Sequence, residues 1–336
     1  MRAVDEVIPV TKRWTIALSI AAAALIQPAY SEDVSQRTAR VGIVYAESYA
    51  SVGGLYEAIR VRLRELGWIE GNNLTIETRS ADGRLDRLPA LMGELIERRV
   101  DVIVTGGNPT VLAAKTATST IPIVATAMSD PVGLGLVASL AHPEANLTGL
   151  SLGFAEGFAG KWLELLHEIV PRLSTLAIVY NPENKASVRY LQDLQAAASA
   201  RGLKLRMIPV HDASRLERGI REARRAAQAA VVLPDPFVMN YCARIAVLAE
   251  KARVPAIYGL LPCAQAGGLM AYGVDLVANA RRGAELADKI LRGAKPGEIP
   301  IEQPTRLSLA VNLKAAKALG LSVPESILLR ADEVIR

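Results

Sequence analysis

From Arg40 onward the chain alternates short, β-branched apolar runs with amphipathic stretches of roughly ten to eighteen residues, and it does so twice. Period-two or continuous apolar runs of this length read as strands, and the longer stretches between them as helices. The alternation therefore predicts βαβ units and parallel sheets. In the first half strands are expected at residues 41–45, 74–78, 102–105 and 121–126, with helices at 53–66, 85–97, 110–118 and 132–140. After a glycine-rich passage at 149–160 the rhythm restarts with a helix at 161–169 and strands at 176–180, 204–208, 230–233 and 255–258. Strand starts are roughly 33, 28 and 19 residues apart in the first half and roughly 28, 26 and 25 in the second, as two copies of one topology would give.

The expected fold class is thus α/β, with two Rossmann-like lobes, each with a parallel sheet, joined by a hinge. Right-handed crossovers place helices on both faces of each sheet, and ligands in such sheets bind beyond the carboxyl ends of the strands. Two lobes facing each other by those ends would bury a small molecule between them. The tail carries an expected strand at 269–272, a long helix at 279–292 and a turn-rich connector at 293–297, which suggests that the chain passes between the lobes more than once. The expected boundaries are residues 39–152 with about 276–293 for the first lobe, and 153–275 with about 297–336 for the second.

Residues 1–31 read as an export leader. Lys12 and Arg13 form a positive start, residues 14–26 are apolar, and Ala29-Tyr30-Ser31 offers small residues before a cleavage expected after Ser31. The apolar run is short of the roughly twenty residues that span a bilayer, and no cysteine follows it for lipid attachment, so the expected destination is the periplasm. The remaining roughly 305 residues suit two domains. The formal charge of +5 falls to about +4 without the leader, and basic residues are interspersed with acidic ones, which argues against a nucleic-acid partner. Cys242 and Cys263 would enter an oxidising compartment, where either a disulfide or two separately buried thiols is possible.

Only 4% of the chain is aromatic, yet the ends of the expected strands are rich in rings: Tyr45, Tyr49, Tyr180, Phe237, Tyr241, Tyr258 and Tyr272. Such rings offer large apolar faces at low entropy cost, which suits a planar solute. Residues 105–110 (TGGNPT) join a strand directly to a helix whose free N–H groups suit a carboxylate. Asp130 and Asp235 suit a ligand ammonium, or equally a helix N-cap. The ligand-binding candidates are Tyr45, Tyr49, Asn108, Thr110, Ser129 and Asp130 from the first lobe and Asn181, Asp235, Tyr258 and Tyr272 from the second.

Other signals are weaker. Gly149-Leu150-Ser151-Leu152-Gly153 matches a G-x-S-x-G nucleophile elbow, so an exported hydrolase is a remote alternative, but His167 and His211 lie in no evident catalytic loop. Residues 133–138 (GLGLVA) fit a loose dinucleotide fingerprint in the wrong place, after the fourth strand. No metal-ligand spacing or Walker A sequence occurs, so no catalytic role, metal or cofactor is expected.

Several stretches resemble one family. They are residues 65–73 (ELGWIEGNN), 100–105 (VDVIVT), 119–124 (STIPIV), 130–133 (DPVG), 233–236 (LPDP), 266–273 (AGGLMAYG) and 328–335 (LLRADEVI). In this order the chain resembles substrate-binding proteins of ABC transporters related to tryptophan- and tyrosine-binding components. The resemblance implies a type I periplasmic-binding-protein fold, hinge closure on a small-molecule ligand such as an aromatic amino acid or aromatic carboxylate, and action as a monomer docking on an inner-membrane permease with its ATPase. The alternative with the same fold is a ligand-sensing module for a membrane kinase or chemoreceptor.

Overall fold

The computed structural model describes residues 37–143, 145–153, 158–304 and 307–336. The leader expected at 1–31 lies outside the described residues. Among the described residues no helix is long and apolar enough to cross a membrane.

The first half runs β1 (Ala39–Tyr45), α1 (Tyr49–Glu65), β2 (Leu74–Ser80), α2 (Leu88–Glu97), β3 (Val102–Gly106), α3 (Asn108–Ala117), β4 (Ile123–Met128) and β5 (Leu147–Ser151). The second continues with α4 (Phe158–Ile169), β6 (Thr175–Tyr180), α5 (Ser187–Ser199), β7 (Lys204–Pro209), α6 (Leu216–Ala226), β8 (Ala229–Val232), α7 (Pro236–Lys251), β9 (Ala256–Tyr258), α8 (Leu261–Gln265) and β10 (Met270–Gly273). Then follow α9 (Leu276–Leu291), β11 (Ser308–Asn312), α10 (Leu313–Leu319), α11 (Glu325–Leu328) and β12 (Glu333–Ile335). The strands form two sheets, ordered β2-β1-β3-β4-β5 and β7-β6-β8-β9-β10-β11-β12. Every paired neighbour is parallel except β10 with β11.

Period-two patterning with both faces apolar explains the layering. On the first sheet Val41, Ile43, Val102 and Val104 pack with α1 residues such as Ile59 and Leu63, whereas Val44, Ile103 and Ala125 face Met92, Leu95 and Val111 of α2 and α3. The second sheet repeats the arrangement. Leu176, Ile178 and Val231 face Trp162 and Leu194 of α4 and α5, while Val179 and Val232 face Ile220 and Ile245 of α6 and α7. Strands covered on both faces are the setting in which parallel sheets are stable.

The long tail helix α9 returns to the first sheet. Its buried face is built of small residues, Ala280, Gly283, Ala284 and Ala287, which lets it lie close to the sheet. A Cβ on Gly283 would stand 2.7 Å from Thr126 Cγ2, and Asn279 Nδ2 donates to the Thr126 carbonyl at 3.0 Å. Trp68 Nε1 anchors the far end of α9 through a buried 2.8 Å bond to Asp288. The chain leaves the first sheet after β5, returns between β10 and α9, and leaves again between α9 and β11, with Glu302 pairing beside Leu150 on the way.

The expected strands of both halves are present, with ends shifted by a few residues. The helix expected at 132–140 is absent. This segment forms successive turns, because Asp130 and Gly135 adopt positive φ (46° and 67°) and Pro131 removes a donor. The glycine-rich passage begins as β5, a strand that sequence patterning overlooked. Gly149 at φ 142° permits it, since a Cβ there would meet the Ala125 carbonyl at 2.0 Å beside a register shift between β4 and β5. Cys242 and Cys263 form a disulfide that ties α7 to α8, with Cα atoms 4.7 Å apart.

Candidate functional site

Strand order reverses around β1 in the first sheet and around β6 in the second, so the crevices at their carboxyl ends are where an α/β sheet presents ligand-binding loops. The loops after β1, β3 and β4 meet the loops after β6, β8 and β9 across a narrow gap, the usual position of a small-molecule site in such a fold. Tyr45, Glu47, Gly106, Gly107, Thr126 and Ser129 line one side; Asn184, Pro234, Asp235, Pro236 and Leu260 line the other. Val52, Leu55, Leu152, Met239 and Leu276 supply apolar surface.

The Tyr45 side chain is fixed by packing and by hydrogen bonds. Its hydroxyl and Thr126 Oγ1 are 2.9 Å apart, and Thr126 Oγ1 donates to the Thr105 carbonyl at 3.0 Å. Gly106 makes room for this ring, because a Cβ there would sit 2.8 Å from Tyr45 Cε1. Burial pushes the Tyr45 hydroxyl well above the ordinary tyrosine range, so it is neutral. Tyr56 meets Tyr45 edge-on at 5.3 Å between centroids and stacks on Tyr49 at 5.2 Å.

Two carboxylates face this gap from opposite lobes. Glu47, two residues past β1, is only 7% exposed, and its Oε2 is buried without a hydrogen-bond partner. Its loop is held by Ser80 Oγ donating to the Glu47 carbonyl at 2.8 Å and by Gly83 N–H donating to the Ala46 carbonyl at 2.8 Å. Burial, with Asp235 nearby, raises the Glu47 carboxyl from 4.5 to about 7. Asp235 is 5% exposed and caps α7, accepting from Phe237 N–H at 2.7 Å and from Asn184 Nδ2 at 2.8 Å. Its pKa is also raised by burial. Among the described residues lining the gap there is no lysine, arginine or histidine.

The two lobes touch directly around the gap. Ser48 N–H donates to Asn240 Oδ1 of α7 at 2.8 Å. A Cβ on Gly107, which has φ 78°, would lie 3.5 Å from Pro236. Tyr190 of α5 is hydrogen-bonded to the Ser129 side chain, and burial pushes its hydroxyl up to about 12.

Of the ten residues singled out in the sequence, Tyr45, Ser129 and Asp235 line the gap together. Asn181 lines the adjoining outer groove and holds Asp235 through Nδ2 at 3.4 Å. Asn108 is paired with the Ser129 backbone in both directions at 2.9 Å, fixing that loop. Asp130 accepts from Gly133 N–H at 3.0 Å, and Tyr49 is 59% exposed on the outside of α1. Thr110 and Tyr258 are buried with unpartnered hydroxyls and, like Tyr272, which packs against Phe158, are outside the gap lining. Glu47, Thr126 and Asn184 also line the gap, although none is among those ten. Glu47 carries a usable sequence signal, an acidic residue directly beyond the strand at the switch point. Ser151, the centre of the elbow-like motif, ends β5 as a buried residue whose Oγ accepts from Gly153 N–H at 2.9 Å.

A pair of doubly wound α/β lobes with a small cavity between their facing strand ends defines a binding-protein fold. The family model described as ABC transporter substrate binding protein matches residues 41–335, and the chain belongs to that family. It is similar to the tyrosine-binding protein of Clostridioides difficile (strain R20291), 24% identical over 287 residues that cover 85% of this chain and 82% of the relative. A solved conserved domain protein from Vibrio cholerae is 27% identical, with a TM-score of 0.82, covering 89% of this chain and 100% of that one. The same coverage holds for an ABC domain from Streptococcus pneumonia in complex with L-Trp, 22% identical with a TM-score of 0.81.

Proposed function

We propose that this chain is the periplasmic solute-binding component of an ABC importer, and that it captures a small aromatic solute by closing its two lobes. The observation that carries the reading is the composition of the gap between the lobes. Glycine backbone (Gly106, Gly107), proline rings (Pro234, Pro236), Tyr45 and several aliphatic side chains line it. An apolar lining with a ring and few polar groups suits a planar solute and is the usual composition of such a site. The tyrosine-binding relative and the neighbour solved with L-Trp support the same solute class.

In this reading Tyr45, Ser129 and Asp235 contact the solute. Asn108 and Asn181 hold two of these contacts in place, and Tyr49, Thr110, Asp130, Tyr258 and Tyr272 shape the loops behind them. A solute touching both lobes completes its contacts only when they are closed, so it shifts the population toward the closed form that an inner-membrane permease and its ATPase would accept. The passages of chain between the lobes, on either side of α9, are where such a hinge would act.

Thermal-shift screening of the mature protein against amino acids, aromatic carboxylates and sugars tests this reading. A solute bound only by the folded state raises the melting temperature, by an amount that grows with its concentration over Kd. Aromatic solutes should give the largest shifts; stabilisation by sugars alone would overturn it.

A further inference from the structure

Of the three passages of chain between the lobes, the first and the third are bonded to each other on the first lobe's side. Ser151 N–H donates to the Glu302 carbonyl at 2.8 Å, and Glu302 N–H donates to the Gly149 carbonyl at 2.9 Å, so the third passage runs parallel beside β5. Just before it, Thr148 Oγ1 donates to the Ile299 carbonyl at 2.8 Å, and Ile301 is buried with first-lobe residues such as Val111 and Leu147. Charge is then added to this backbone contact. Arg282 of α9 grips the Glu302 carboxylate twice, Nε to Oε2 at 2.8 Å and Nη2 to Oε1 at 2.7 Å, a geometry that fixes direction as well as distance. The same guanidinium donates to Glu285, which accepts from Arg62 Nε of α1 at 2.9 Å, and Arg62 also donates to Glu65 at 2.8 Å. None of these charged residues lines the gap, yet Leu152, next after Ser151, does, and so does Leu276 at the start of α9.

We propose that Arg282 and Glu302 are positioning residues of the hinge: their pair holds the third passage against β5, fixes where the second lobe begins to swing, and so sets solute affinity without touching the solute. This rests on the lobe-closure reading above and adds to it the residues that govern closure. With the pair intact, the third passage moves with the first lobe as far as Glu302. Without it, the chain at Glu302 keeps only its main-chain bonds to β5. A longer free segment has more conformations when the lobes are apart, and this entropy favours opening. Apparent affinity falls with the fraction of molecules able to close, so binding weakens even though every contact in the gap is unchanged. Both side chains are about a third exposed, so salt screens the pair and its effect is a few-fold one.

The test compares the wild-type mature protein with Arg282→Met, Glu302→Gln and a control, Arg330→Met, which breaks another ion cluster, with Glu164 and Glu168 of the second lobe. Solution X-ray scattering reads the radius of gyration without solute, and calorimetric titration with L-tryptophan and L-tyrosine reads affinity. Both hinge variants are expected to show a larger radius than the wild type, and to bind whichever amino acid the wild type binds about three- to fivefold more weakly. Arg330→Met should change neither. Raising sodium chloride from about 0.05 M to about 1 M should move the wild-type radius toward that of the hinge variants and leave theirs in place. This arm needs no substitution, so it decides alone if a melting curve shows a variant to be unfolded. A radius unmoved by the hinge substitutions and by salt would overturn the proposal, as would weaker binding at an unchanged radius or equal opening in Arg330→Met. If the wild type binds neither amino acid while the scattering differences persist, the hinge pair stands and the aromatic reading of the solute falls.

Discussion

Replacing Glu47 by glutamine should change the pH dependence of the unliganded protein's stability in a calculable direction. The Glu47 carboxyl is raised from 4.5 to about 7 by burial and by Asp235, with the neutral hydroxyls of Tyr45 and Tyr56 packed nearby. A folded state with the higher pKa binds the proton more tightly than the unfolded chain. The stability contributed by this group is therefore complete below pH 4.5 and is lost as pH rises through about 7. At about 1.4 kcal/mol per pH unit across that interval, the loss is about 3 kcal/mol. Glu47→Gln cannot ionise, so the variant should match the wild type near pH 4.5 and exceed it by up to about 3 kcal/mol at pH 8. Asp235, whose pKa is raised in the same sense by burial, remains in both proteins, and because it interacts with Glu47 the difference between them reads the pair's loss of one acid. Urea unfolding followed by circular dichroism between pH 4.5 and 8, without added solute, reads this directly. Parallel stability curves for the two proteins would refute the claim that burial raises the Glu47 carboxyl.

Other outcomes follow from single contacts. Asn240→Ala removes the cross-lobe bond to Ser48 and should favour the open form by about 1 kcal/mol, seen as a larger radius of gyration of the unliganded protein in solution scattering; no change would mean that this contact does not hold the lobes. Trp68→Phe deletes the buried bond to Asp288, which keeps its ion pair with Arg292, and should lower unfolding stability by about 2 kcal/mol in denaturant titration. Joint replacement of Cys242 and Cys263 by serine opens a loop with a sequence separation of 21, and the chain-entropy relation sets its cost at about 3 kcal/mol, measurable as a lower urea midpoint.

The architecture could be read from the chain because period-two apolar runs such as residues 102–105 and 230–233 are covered on both faces and flanked by helices of ordinary length. Elements without that pattern escaped. β5 carries Thr148 and Gly149 in place of a continuous apolar run, and β11 and β12 are short strands whose partners lie far along the chain. The reverse error at 132–140 came from apolar periodicity that Pro131 and the glycines override. At the site, position after a strand correctly pointed to Tyr45, Ser129 and Asp235, but side-chain direction is not encoded in position. Tyr258 ends β9 yet turns into the core, and Asn108 spends both ends of its amide on the Ser129 backbone. Glu47 becomes conspicuous only when folding brings it to face Asp235 and leaves an oxygen unpaired.

A crystal structure of the mature protein with the aromatic amino acid that raises its melting temperature most would examine the binding geometry at atomic level. The ring should lie in the gap between the lobes, against Tyr45 and the apolar lining and in contact with residues of both lobes. A ring seated in the outer groove or on the protein surface would contradict capture between the lobes.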